Sequence, residues 1–282
     1  MSVDVGALRA QTLAELARAG LGEHAEALVA LAKPCVSLRT ARVDEGQLPL
    51  GASKIGGTPD LPVEAAWPEW RGMPLSFVAQ LDLREVAPHA PAGVLPDAGY
   101  LSFFCDARLE AIGLDPDDEG GWRVMWHPGR SRLVRRSAPA VEGVEVFPAC
   151  AVTLSPVLSF PDWEKLKPVL GDGDEAYDAG DTLRGLRNGP AHQLLGHPDP
   201  VQNDPAFECQ YAIHGLYQSG FDQARAAEVE PGAAEWKLLF QLDSDDEPDM
   251  MWGDTGMLYF MVREADMREW RFDQGWMIFQ CC

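Results

Sequence analysis

Between residues 7 and 32 the apolar positions recur at intervals of three and four. Leu8, Thr12, Leu16 and Ala19, then Ala25, Leu28, Val29 and Ala32, form stripes that predict two helices, separated at Gly20 and Gly22 and ended by Pro34. From residue 35 the period changes to two. Cys35 to Thr40 alternates, and Gly, Pro and Asp then punctuate the chain every ten residues or so, which predicts a β-rich body. Trp122 to Trp126 and Val144 to Phe147 read as further strands, with Asp115 to Gly121 as a solvent-facing hairpin loop. Helical spacing returns over 162–170 and over 205–228, the latter through Phe207, Tyr211, His214 and Leu216. The Gly- and Asp-rich stretch 171–190 reads as an irregular surface connection.

Two segments carry the same pattern. Phe77-Val78-Ala79-Gln80-Leu81-Asp82 is followed by Asp97-Ala98-Gly99-Tyr100-Leu101-Ser102-Phe103-Phe104. Leu238-Leu239-Phe240-Gln241-Leu242-Asp243 is followed by Asp254-Thr255-Gly256-Met257-Leu258-Tyr259-Phe260-Met261. Each is an apolar strand ending in Gln-Leu-Asp, a loop, and an Asp-x-Gly turn into a second strand. Alternation puts Gln80 and Asp82, and likewise Gln241 and Asp243, on one face of their strand. Apolar residues on both faces predict burial on both, so these polar groups need backbone or turn partners. The expected fold is α+β and β-rich: two similar sheets from an internal pseudo-repeat, with the N-terminal helices packed outside. Residues 1–34 form the helical segment and 35–282 the β-rich domain, in one compact unit. The seam between the two sheets is the natural place for a site.

Charge narrows the partners. Forty-four Asp and Glu against 23 Lys and Arg leave a formal charge of -21. Such a chain repels nucleic acid phosphates and anionic membrane surfaces, so neither is expected as a partner. The one basic cluster, Arg130-Ser131-Arg132-Leu133-Val134-Arg135-Arg136, reads as the solvated face of a strand. The start, Met1-Ser2-Val3-Asp4-Val5-Gly6, lacks the basic and apolar regions of a secretory signal, and no apolar run reaches the length of a membrane span. Six cysteines without a Cys-x-x-Cys pair then read as reduced, mostly buried thiols of a cytoplasmic protein.

Four segments could carry chemistry. Asp243 to Asp254 holds six carboxylates, and no Lys or Arg occurs between Lys237 and Arg263. Solvation, a nearby Arg or Lys, or a hard divalent cation would relieve their repulsion; Asp243, Asp245, Asp246 and Asp254 are the candidate ligands for Ca or Mg. The spacing is not an EF-hand, because Pro248 stands where that loop needs Gly. His192 to Gln202 places two histidines and Asp199 in a turn, at a spacing unlike that of a helical zinc motif. Ser53 to Pro62 is a Gly-rich turn with a lysine, but without the order of a phosphate-cradling loop; it is expected to tuck Leu61 and Trp67 into the core. Cys209 and His214 point different ways on a helix, which argues against a thiol nucleophile.

Taken together, Lys54-Ile55-Gly56-Gly57-x-Pro59-x-Leu61-Pro62, Trp67-Pro68, Pro74 to Leu83, His192-x-x-Leu195-Gly196-x-Pro198 with Gln202, Gln241-Leu242-Asp243-Ser244, Trp252-Gly253-Asp254-x-Gly256 and the closing Phe279-Gln280-Cys281 resemble the YwqG-like family, in that family's order. The resemblance implies an α+β, β-rich, cytoplasmic protein with no established reaction; His197 departs from the aromatic residue common there. A loose association with toxin genes in that family hints at an immunity-like role. The expected function is a non-catalytic protein- or peptide-binding module, with Lys54, Gly56, Gly57, His192, Gln202 and Trp252 as binding residues. The alternatives are a divalent-metal-dependent hydrolase or a structural calcium-binding protein using loop 243–254. The oligomeric state stays open.

Overall fold

Ten strands join one antiparallel sheet, here numbered in chain order. They are β1 (Lys33–Arg42), β2 (Lys54–Ile55), β3 (Ser76–Asp82), β4 (Tyr100–Cys105), β5 (Trp122–His127), β6 (Cys150–Ser159), β7 (Gln193–Leu194), β8 (Trp236–Asp243), β9 (Met257–Arg263) and β10 (Trp276–Gln280). Across the sheet they run β10-β9-β8-β7-β1-β6-β2-β3-β4-β5. The computed structural model describes residues 3–129, 132–171, 174–187, 189–218 and 220–282. Met1-Ser2 of the chain start, Arg130-Ser131 of the basic cluster and Asp172-Gly173 of the surface connection lie outside the described residues.

Where the sequence predicts a separate sheet for each repeat, both repeats lie in one. The long β1–β6 ladder, from Lys33 opposite Ser159 to Arg42 opposite Cys150, joins the two arms through the two-residue strands β7 and β2. The arms also meet at their far edges. Trp122 of β5 and Trp276 of β10 contact edge-to-face at 4.8 Å. Each indole N–H donates across the gap, Trp122 to the Gly275 carbonyl at 2.9 Å and Trp276 to the Gly113 carbonyl at 2.7 Å. The sheet is therefore nearly closed, and its interior is the main core. There Phe103 of β4 packs on Phe240 of β8 and Phe260 of β9, with ring centroids 4.7 and 5.2 Å apart.

The acidic turn Asp115 to Gly121 exposes Asp117 and Glu119 but does not face solvent throughout. Asp118 is buried and accepts from the Gly113 N–H at 2.9 Å, while the Ile112 carbonyl accepts from Phe279 N at 3.0 Å, so the loop caps the free edge of β10.

The N-terminal helices form where their stripes predict, Val5–Arg18 and Ala25–Leu31. Asp4 caps the first, accepting from Ala7 N at 3.0 Å. Their buried faces (Leu8, Leu16, Leu28, Val29) pack with Leu158 of β6 and with helices Trp163–Leu170 and Asp174–Gly185 in a second core outside the sheet. The helix Asp174–Gly185 corrects the irregular connection expected there: Ala176, Ala179 and Leu183 supply a short buried stripe. Residues 205–228 divide into helices Pro205–Ile213 and Gln223–Val229. Val144 to Phe147 takes no strand; Val146 is exposed, so no neighbouring strand covers it.

Candidate functional site

Several of the predicted residues fall into two polar clusters, one in each arm. In the first, Lys54 is fully buried and its ammonium lies 3.1 Å from Glu45 and 3.4 Å from Asp60. Arg135 donates to Asp60 Oδ1 at 2.9 Å. Burial opposes ionisation of Asp60, but the bonds from Arg135 and Gly51 and the charge of Lys54 outweigh it and hold its pKa below the ordinary value. Glu45 is also held low: burial again opposes it, and the Thr58 N–H and Lys54 prevail. Gly56 and Gly57 serve this packing. Both have positive φ, and an added Cβ would stand 2.1 Å from the Pro148 carbonyl oxygen at Gly56 and 2.4 Å from Glu45 Oε1 at Gly57. Charges balance and donors are matched, so this cluster braces a turn.

In the second cluster both ring nitrogens of His192 are engaged. Nδ1 accepts from Asp243 N at 3.0 Å, which leaves the proton on Nε2, facing Asp245 Oδ2 at 3.0 Å. Burial raises the cost of charging Asp245, yet bonds from His192 and Thr40 bring it down to about 2. Asp243 goes the other way, pushed up by burial although it accepts from Ala191 N at 2.7 Å. Arg42 reaches the same loop from β1. Its guanidinium donates to the Asp246 and Glu247 carbonyls and lies 2.7 Å from Asp249 Oδ1. The acidic loop thus holds an arginine 205 residues away in sequence as counter-charge. Asp254 stands apart, with its carbonyl accepting from Cys282 N. Among the described residues no three His, Cys, Asp or Glu side chains are placed to hold a metal ion. Trp252 is buried, with its ring 5.6 Å from Phe147.

The two arms repeat their hydrogen bonds. Gln80 accepts from Asp60 N at 2.8 Å and donates to the Ala52 carbonyl; Gln241 accepts from Asp199 N at 2.9 Å and donates to the Ala191 carbonyl. Asp82 N donates to Ser53 and Asp243 N to His192, in each case the residue just before β2 or β7. Both β3 and β8 carry a register shift at the same point, Phe77/Ala79 and Leu238/Phe240.

Gln202 leads to a surface that sequence reasoning missed. Its amide donates to the Cys281 carbonyl at 2.7 Å, and it lines a groove of ≈ 850 Å³ between helices Trp163–Leu170 and Pro205–Ile213. Phe207, Tyr211, Tyr217 and Phe221 form a contiguous aromatic group there, with Tyr211 at 5.4 Å from Phe221 and 6.2 Å from Tyr217. Phe221 is 54% exposed and Tyr217 36%. Carboxylates border these rings: Asp162, Glu164, Asp204, Glu208 and Glu230 line the groove, against Lys165 as the one cation among the described residues that line it. Lys165 is bound to Asp204 at 2.5 Å. Glu208 is buried, which raises its pKa, and is held by Gln280 at 2.6 Å and Asn203 at 3.2 Å. The available signal was six groove-lining aromatic and acidic residues between Phe207 and Glu230 (Phe207, Glu208, Tyr211, Tyr217, Phe221 and Glu230); the spacing of Phe207 and Tyr211 named a helix but not the surface it presents.

The four buried cysteines offer no ready nucleophile. Cys35, Cys105, Cys150 and Cys209 are buried, and burial pushes each thiol up, Cys150 to about 11. His214 meets Gln210 at 3.2 Å rather than Cys209. No helix among the described residues is long and apolar enough to cross a membrane.

A family model described as a domain of unknown function (DUF1963) matches residues 53–281. No curated protein matches the chain.

Proposed function

The chain belongs to the DUF1963 family, and we propose that it acts as a non-catalytic module that binds a basic peptide segment in the groove between helices Trp163–Leu170 and Pro205–Ile213. One observation carries this reading: exposed aromatic rings stand among carboxylates that outnumber the cations lining the groove. Lys and Arg side chains are attracted to aromatic faces and to carboxylates together, by about 0.5–1 kcal/mol per exposed cation–π contact. Exposed apolar patches rimmed by polar residues are the usual footprint of a partner. The overall acidity adds steering toward a cationic partner.

The YwqG-like resemblance, the internal duplication and a reducing, cytoplasmic address belong to the same reading. The duplication is supported by the matched glutamine bonds and register shifts, and the address by four buried free thiols. The hydrolase and structural-calcium readings rest on the Asp243–Asp254 loop. There Arg42 supplies counter-charge, and His192 and Thr40 supply hydrogen bonds to Asp245, so no observation favours them over peptide binding.

Selection of a random displayed-peptide library on the purified chain is the direct test. Winning peptides should be rich in Lys and Arg, bind more weakly as salt rises, and lose at least about tenfold affinity to Tyr217→Ala/Phe221→Ala. Selection of acidic or charge-neutral sequences, or binding indifferent to that double substitution, would overturn the reading.

A further inference from the structure

A second cavity lies on the outer face of the sheet, under the first helix. Ser37 and Arg39 of β1 form its floor, with helix Val5–Arg18 on one side and Arg187 on the other. Arg39 stands at the middle of the sheet, opposite Thr153 on β6. The cavity measures ≈ 160 Å³.

Its charge runs against the rest of the molecule. In a chain with 44 acidic and 23 basic residues, two guanidiniums line one small space, and among the described residues neither has a carboxylate within 4.0 Å. Among the described residues each is anchored by one bond to a neutral acceptor: Arg39 Nη1 to the Pro190 carbonyl at 3.0 Å, and Arg187 Nη1 to Gln193 Oε1 at 2.5 Å. A guanidinium has five N–H donors, so both keep donors to spare. Among the described residues Glu15 is the one carboxylate lining the cavity, and its Oε1 accepts from Gln11 at 2.8 Å. His192 also borders the space, but its nitrogens are committed to Asp243 and Asp245. Much of the remaining lining is apolar, including Leu8, Val157, Phe160 and Leu186.

We infer that this cavity is a binding site for a small monocarboxylate with an apolar body. A planar carboxylate matches the guanidinium fork, and Arg holds it with paired charge-assisted bonds. An apolar cavity of about 150 Å³ accommodates benzene, so this one takes an acid of roughly the size of benzoate or isovalerate. The apolar wall selects the body and the arginine pair selects the head group. This site is separate from the peptide groove and does not depend on it.

Isothermal titration of the full chain with benzoate and isovalerate, beside benzamide, isovaleramide and inorganic phosphate, tests the assignment. Both acids should bind, and their amides and phosphate should bind at least about tenfold more weakly. Arg39→Gln and Arg187→Gln should each lose about tenfold or more. Arg39→Lys keeps the charge without the fork and should fall between. Glu15→Gln removes the competing carboxylate and should bind the acids severalfold more tightly, a gain that a damaged fold cannot produce. The inference is overturned if neither acid binds, if the amides or phosphate bind as well as the acids, or if Glu15→Gln weakens binding as the arginine variants do.

Discussion

Gln80 and Gln241 make the same pair of bonds from opposite arms of the sheet, each accepting from the N–H of an aspartate and donating to the carbonyl of an alanine. Both are fully buried. Each glutamine thereby ties its long strand to the loop that enters and leaves the neighbouring two-residue strand.

Gln80→Ala and Gln241→Ala should each destabilise the protein by about 1–3 kcal/mol, because each leaves a buried or part-buried N–H and C=O without the amide partner. Urea unfolding of the two variants should give midpoints lowered by similar amounts. A cost below about 0.5 kcal/mol in either would show that water replaces the amide.

Acid should separate Asp245 from Asp243. An unfolded Asp titrates near ~3.9, whereas Asp245 in the fold lies at about 2. Its folded pKa is depressed, so its contribution is present above the unfolded value and is lost as the pH falls toward 2. Asp245→Asn should therefore lower stability at pH 7 and flatten the decline between pH 4 and pH 2. Asp243 is raised, so its ionisation weakens the fold at neutral pH and acid relieves this. Asp243→Asn should steepen the acid decline. Denaturant midpoints measured across pH 2–7 read both slopes.

Arg42→Ala should expose the repulsion within the acidic loop. The pair with Asp249 is solvent-accessible, so the cost at moderate salt should be small. The variant should gain more from added calcium than the parent does, since the cation takes over the counter-charge. Equal melting-temperature shifts with calcium in parent and variant would show that Arg42 and an ion do not compete.

Leu16→Ala should cost about 2–5 kcal/mol, as the residue is fully buried in the core beneath the N-terminal helices. If that core folds with the sheet, heat should unfold the variant in a single transition at lower temperature. A separate early transition would mark the helical layer as an independent unit.

Thiol labelling at neutral pH should modify Cys281 and Cys282 in the native protein, and the four buried cysteines only after unfolding. Rapid native labelling of more than two would show that the sheet opens readily.

The sequence by itself determined whatever rests on neighbours along the chain. The 3.6 period of Leu8, Leu16 and Leu28 names the helices and their buried faces. The period of two around Gln80 and Gln241 names the strands, and the shared Gln-Leu-Asp pattern marks the matching arms. These are local properties, because a backbone period and a buried stripe are set within a few residues. What lies across the fold was decided by tertiary structure. The long β1–β6 ladder merges the two arms into one sheet, since it pairs segments more than a hundred residues apart. Arg42 meets the acidic loop, and Arg39 and Arg187 come to line one cavity, through placements that no spacing encodes. Phe207 and Tyr211 have the spacing of a core stripe, yet they line an open groove. Whether an apolar face is covered depends on what else the chain brings to it, and only the packed structure supplies that neighbour.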